Sequence, residues 1–242
     1  MIRTIPNAVA DLAGAGGTVF ELRRYTLKPG QREQLIALFD AEFVETQEAV
    51  GMRVIGQFRD PARPEHFVWF RGFADHAVRD TALPRFYGGP VWAQHGPAAN
   101  ATMIDSDDVL MLKRAGPEPV FADLPARPRD GFAQAGSPIL VATHHLAADI
   151  TEEGLPRVAR VVAEAVRDTG AVVLASLVSD HSPNGFPRLP VRADTNVAVT
   201  VVRPRAGGIR AASAALTRYS PDVSVVPPEI AVLEPTRHSR LR

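Results

Sequence analysis

Residues 65–73, EHFVWFRGF, decide how this chain folds. β-Branched and aromatic residues crowd a run too short for a helix, so it reads as a strand. Side chains alternate across a strand, which puts Phe67, Trp69 and Phe73 on one face and Val68 and Phe70 on the other. Both faces are apolar. A sheet built from such strands must be covered on both sides.

The neighbouring sequence says what covers one of them. TVFELRRYTL (18–27) is an earlier strand, and KPG supplies a turn and a helix start. QREQLIALFDAEFVETQEAV (31–50) places Leu35, Phe39 and Phe43 four residues apart, an amphipathic helix widened by Ile36 and Leu38. GMRVIGQFRD (51–60) pairs with 65–73 as a hairpin, a helix runs from about Asp75 to near Pro84, and DVLMLKRA (108–115) is a last strand. The order β-α-β-β-α-β is that of a split, ferredoxin-like sandwich, with helices on one face of the sheet.

After residues 116–136, whose four prolines give the composition of a semi-rigid linker, the order returns. SPILVATHHL (137–146), the helix LPRVARVVAEAVRDTG (155–170), the strands AVVLASLVSD (171–180) and TNVAVTVVR (195–203), the helix GGIRAASAALTRY (207–219) and the strand EIAVLEP (229–235) follow in sequence. Matching elements recur about 120 residues apart, the mark of a diverged internal duplication. The expected architecture is α+β, with two ferredoxin-like modules, 18–115 and 137–242, packed sheet to sheet as an intrachain equivalent of a dimeric α/β barrel. Residues 1–17 read as a flexible leader.

Composition narrows the function. The 242 residues carry 27 basic and 27 acidic side chains, so no net charge draws the chain to nucleic acid or an anionic membrane. Apolar runs are short and interrupted, so no membrane span is expected. The absence of cysteine removes thiolate chemistry and fits a cytoplasmic protein. Adjacent histidines 144 and 145 point to opposite faces of a strand and cannot share a metal. No two histidines have helical i, i+4 spacing with a carboxylate between, so a zinc site would have to be assembled from distant segments; no metal and no cofactor are expected. DSDD (105–108) reads as a solvated turn before a strand, and the GAGG of the leader lacks the setting of a phosphate loop.

The polar residues on sheet faces are the candidates for a site. Glu21, Arg23 and Tyr25 share one face of the first strand, and Arg71 continues the row of Trp69. Glu21 pairing with Arg23 or Arg71 is the plain structural reading; Arg23, Arg71 and Tyr25 as anchors for an anionic or phenolic ligand is the functional one. In FYGGPVWAQHGPAAN (86–100), the Gly88-Gly89-Pro90 and Gly96-Pro97 breaks are expected to stop any long helix and turn rings inward. Tyr87, Trp92 and Asn100 then border a cavity, with Trp69 and Tyr25 nearby and His95 as candidate base. One of the paired histidines, His144, is a candidate for the second half's cavity. SPNGFPRLPVR (182–192) is an extended loop, either a lid bringing Arg188 and Arg192 to a pocket or an interface with another protomer, so a homo-oligomer is compatible with it.

VFELRRYTLKPGQREQL, FYGGPVWAQHGPAANATM before DVLMLKRA, and NGFPRLPVR together resemble the NIPSNAP family, within the dimeric α/β-barrel superfamily. The resemblance covers the first half from end to end. It implies the barrel fold; related barrels include haem-degrading and cofactor-free monooxygenases and others that only bind small molecules. Two functions are therefore expected to compete. One is a metal-free small-molecule enzyme of monooxygenase or isomerase type, with His95 as base and an arginine together with Tyr25 holding an anionic intermediate; the other is a non-catalytic binding or scaffold protein.

Overall fold

A closed antiparallel barrel organises the chain. The computed structural model describes residues 19–118, 120–122, 124–127, 136–147, 153–218 and 226–242; the expected leader and part of the expected linker lie outside them. The first half runs β1 (Val19–Leu27), α1 (Arg32–Leu38), a π-helical turn (Phe39–Phe43), α2 (Val44–Ala49), β2 (Arg53–Arg59), β3 (His66–Phe73), α3 (His76–Tyr87), α4 (Pro90–Thr102) and β4 (Met103–Arg114). The second runs β5 (Ile139–His145), α5 (Gly154–Arg167), β6 (Val172–Ser179), β7 (Val197–Arg203), α6 (Ile209–Arg218) and β8 (Glu229–Pro235).

The strands close in the order β1-β3-β2-β8-β5-β7-β6-β4, with β4 returning to β1. Each half contributes four consecutive strands of the wall. Where sheet-to-sheet packing was expected, the two sheets also join at their edges, through Phe58 and Arg59 with Pro235 and Glu234 at one seam and Leu112–Arg114 with Leu177–Ser179 at the other. Closure pairs the backbone groups that two open sheets would leave exposed at their edges.

The two apolar faces of residues 65–73 find their partners as the alternation requires. Val68 and Phe70 point into the barrel with Phe20, Leu22, Phe58, Val141, Leu177 and Val199. Phe67, Trp69 and Phe73 point outward under the helices, against Leu35, Phe39, Phe43 and Phe86. Phe121, at φ 49°, lays its ring 5.6 Å from Phe20 and 5.5 Å from Phe70 and plugs one end of the barrel. Leu241 packs into the same interior cluster, its amide bonded to the Ile55 carbonyl.

Two local expectations are corrected. Residues 86–100 are not irregular: α3 runs through Pro84 to Tyr87, the chain turns at Gly88-Gly89, and α4 continues through Gly96-Pro97. Pro90 occupies the first turn of α4, where a missing N–H costs nothing, and Pro97 removes only one bond from a helix held by burial of Gly96, Ala99 and Thr102. Residues 105–108 are not a turn but part of β4, because Asp105 and Asp108 take register with Thr26 and Arg24 of β1.

Candidate functional site

Glu21 lies on the helix-facing side of β1, fully buried, and collects three guanidinium groups. Its Oε2 accepts from Arg23 Nη1 and Arg71 Nε, each at 2.8 Å, and its Oε1 accepts from Arg79 Nε at 2.8 Å. Register explains the convergence: Glu21 sits opposite Arg71 in the β1–β3 ladder, Arg23 is the next residue on the same face, and α3 lays Arg79 over them. All four side chains are at most 1% exposed. Burial alone would raise the Glu21 pKa, but Arg71, Arg23 and Arg79 outweigh it and hold the carboxyl well below its usual range.

One carboxylate cannot balance three guanidiniums. The partners that remain are mostly neutral: Gln47 Oε1 and the Tyr87 hydroxyl for Arg71, and Asn184 Oδ1 for Arg79, at 3.3, 3.5 and 3.0 Å. The nearest other acid, Asp80, is 3.8 Å from Arg79 and faces solvent. Arg23 and Arg71 also rest on the face of Trp69, 5.7 and 5.2 Å from the ring centroid, which compensates some lost hydration. The cluster keeps a buried excess of positive charge.

That charge reaches a cavity. About 250 Å³ of space lies between β1, the β4 start, α3, α4 and the 180–192 loop. Arg23 and Tyr25 form its inner wall, Tyr87, Trp92 and Phe186 supply rings, and Asn100, Met103, Ser106, Asp107, Arg188 and Leu189 complete the rim. Arg23 Nε donates to the Tyr25 hydroxyl oxygen at 3.0 Å, which leaves the Tyr25 proton free to point elsewhere. Burial pushes the Tyr25 pKa up although Arg23 opposes the shift, so the phenol stays protonated at neutral pH. Burial works against the Arg23 charge, but Tyr25 and Glu21 outweigh it and push its pKa up. The inner wall therefore offers a permanent cation beside a neutral hydroxyl donor, a pair suited to an oxyanion.

Of the residues singled out from sequence, Arg23, Tyr25, Tyr87, Trp92, Asn100 and Arg188 line this cavity together. Trp69 and Arg71 stand one layer behind, bound to the arginine cluster. His95 is placed elsewhere: its Nε2 lies 3.5 Å from Glu42, and it takes no part in the cavity wall. Arg192 is anchored to Asp108 at 3.2 Å, and His144 is fully buried beneath the helices of the second half, away from this space. Arg79 escapes a reading that searches strands for polar rows. Its signal was a charge at an apolar-stripe position, since Arg79, Ala82, Leu83 and Phe86 are the buried face of α3.

A larger groove of about 620 Å³ runs between α5 and β6. Its charged rim is Arg157, Arg160 and Arg167, all exposed on one helix, offset by the exposed Glu164 and Glu118, and no buried charged group lines it. The smaller cavity is the candidate site because the charge at its wall is desolvated. Among the described residues, no group of three or more His, Cys, Asp or Glu side chains is placed to hold a metal ion, and no helix is long and apolar enough to cross a membrane.

Residues 20–115, in the first half of the chain, match the NIPSNAP family model. No curated protein matches the chain. Among solved structures, a candidate monooxygenase from Lactobacillus acidophilus NCFM is 12% identical, aligned over 90% of this chain and 93% of that one, with a TM-score of 0.56. A second candidate monooxygenase, from Fusobacterium nucleatum, is 8% identical over 92% and 94% of the two chains, with a TM-score of 0.57. A NIPSNAP-like domain protein from Burkholderia xenovorans is 20% identical over 43% of this chain and 91% of its own, with a TM-score of 0.40. For the two candidate monooxygenases, at 12% and 8% identity, the likeness is one of fold.

Proposed function

We propose that this NIPSNAP-domain chain binds a small aromatic anion in the cavity between β1, α3 and α4, and acts on it as a small-molecule enzyme of monooxygenase or isomerase type. One observation carries the reading: three buried guanidiniums share a single carboxylate, and one of them, Arg23, stands at the inner wall of a ring-lined cavity. Buried charge without a matching counter-ion is costly, and an incoming anion would relieve the cost. Tyr87, Trp92 and Phe186 suit a flat ring, and Arg23 with Tyr25 suits an oxygen that carries or develops negative charge. Stabilising a phenolate or enolate form of the ligand is the contribution these residues make to either reaction type. On this reading the two halves are modules of one duplicated unit, 18–115 and 137–242, joined by the 116–136 linker.

Calorimetric titration with 2-naphthoate and with the uncharged 2-naphthamide tests the proposal. A hydrogen bond to a charged group contributes about 1.5–3 kcal/mol, so the acid should bind roughly ten- to a hundredfold more tightly. Equal affinities, or no binding of either, refute it. A cavity that accepts neither compound while the chain captures a protein partner supports the scaffold reading instead.

A further inference from the structure

The wall of the cavity is not made by the matched domain alone. The family match ends at residue 115, yet Phe186, Arg188 and Leu189 come from the β6–β7 connection of the second half. This loop is fastened to α3 at several points. His76 Nε2 and Asp180 Oδ2 are 2.9 Å apart. Asn184 Oδ1 accepts from Arg79 Nη1 at 3.0 Å and from the Phe186 amide at 3.2 Å, while its Nδ2 donates to the Leu189 carbonyl at 2.9 Å. Gly185 lies so close to Asp80 that a Cβ there would overlap the carboxylate. One side chain thus ties the loop's shape to the buried arginine cluster.

The result is a fixed ring on the second half's side of the opening. Phe186 is 9% exposed and lies 24° from parallel to Tyr87, with centroids 6.0 Å apart, and Tyr87 meets Trp92 edge-on at 4.6 Å. The three rings touch one another in sequence and so form one continuous aromatic wall, on which a planar ring gains more face contact than a puckered one. We infer that the second half supplies the cavity's selectivity: Phe186 is a specificity-determining residue that restricts the opening to flat rings, and Asn184 is the positioning residue that holds it there through Arg79. This rests on the aromatic-anion reading above. It adds that the discriminating residues lie outside the domain that carries the buried charge.

The test compares 2-naphthoate with its thick, saturated counterpart decalin-2-carboxylate, which has the same charge, by calorimetry on the full chain. The wild type should prefer the flat acid. Phe186→Ala should shrink that preference by roughly three- to tenfold, the size of one aromatic contact. Phe186→Leu, which keeps the bulk and guards against a variant that does not fold, should shrink it by a smaller factor. Asn184→Ala should shift the ratio in the same direction, and Asn184→Asp, which retains the acceptor for Arg79 but loses the donor to the Leu189 carbonyl, should shift it less than Asn184→Ala does; a merely structural asparagine would alter melting without moving the ratio. If both acids bind and the ratio is unchanged in the Phe186 and Asn184 variants, the selectivity inference falls and the aromatic-anion reading stands. If neither acid binds the wild type, the underlying reading fails and takes this one with it.

Discussion

Replacing Glu21 by glutamine removes the one negative charge shared by Arg23, Arg71 and Arg79 and leaves their guanidiniums buried together. The shape of the side chain barely changes, so the cost is electrostatic. Three charge-assisted bonds of 2.8 Å converge on this carboxylate, and the amide can accept on one atom only while its NH2 group opposes a guanidinium. Removing one partner of a buried ion cluster typically costs about 3–5 kcal/mol. For a chain of this size each kcal/mol lowers Tm by roughly 2–4 °C, so the variant should melt roughly 6–20 °C below wild type by circular dichroism. Acid should mimic the substitution. The Glu21 pKa is lowered in the fold from 4.5, so its stabilisation is complete above that pH and is lost as pH falls below it; the variant should lack that part of the wild type's acid sensitivity. Adding Arg71→Met to Glu21→Gln should recover part of the loss, because one uncompensated charge goes with it. A Glu21→Gln protein within about 1 kcal/mol of wild type would show that the cluster is hydrated or already neutralised, and the case for an anion site beside it would lose its foundation.

Two further perturbations reach other parts of the structure. At Gly96, an added Cβ would stand 2.7 Å from the Trp92 ring, so Gly96→Ala should displace the indole from the cavity wall; stability should change by no more than about 2 kcal/mol, since better helix propensity offsets the crowding, while 2-naphthoate binding weakens and tryptophan emission shifts. Burial pushes the Asp40 carboxyl up to about 6 despite His238 and Arg127 nearby, so the fold holds a proton that the unfolded chain has released and stability declines as pH rises from about 4 through 6. Asp40→Asn should therefore add roughly 1–2 kcal/mol at pH 8 and almost nothing at pH 4 in urea titrations, and equal effects at both would refute that assignment.

Periodicity made the framework legible. The alternation in residues 65–73 demanded two covered faces, and the structure covers one with helices and the other with the barrel interior. The same alternation serves two stacked sheets and a closed wall equally well, so the edge pairing of Arg59 with Glu234 could not be seen in it. Residues 86–100 misled because Gly96-Pro97 is a breaker by local propensity, whereas burial of that helix face and the need of Trp92 for a bare Cα beside it decide the outcome. Asp105 to Asp108 looked like a turn because nothing nearby in sequence shows that Arg24 and Arg192 will meet Asp108. The row Glu21, Arg23, Tyr25 was readable as one face. That Arg79 would join it from a helix, and that a loop more than 100 residues away would complete the cavity, depends on long-range packing that no local pattern encodes.

The loop over the cavity also bears on how the two halves can diverge. Were the barrel assembled from two identical chains, each would roof the other's cavity, and any substitution would be felt twice, at symmetry-related places, for better and worse together. In this single polypeptide the β2–β3 connection of the first half is only Asp60–Glu65, and the second half's sheet-to-helix layer is filled by Leu140, Ala142, Val162 and Val202 instead of guanidiniums. Changes at residues 180–192 then retune a single opening without an echo elsewhere. If the cavity takes the proposed aromatic anion, charge and fit can vary separately in such a molecule, one half keeping the electrostatics constant while the other samples new ligand shapes.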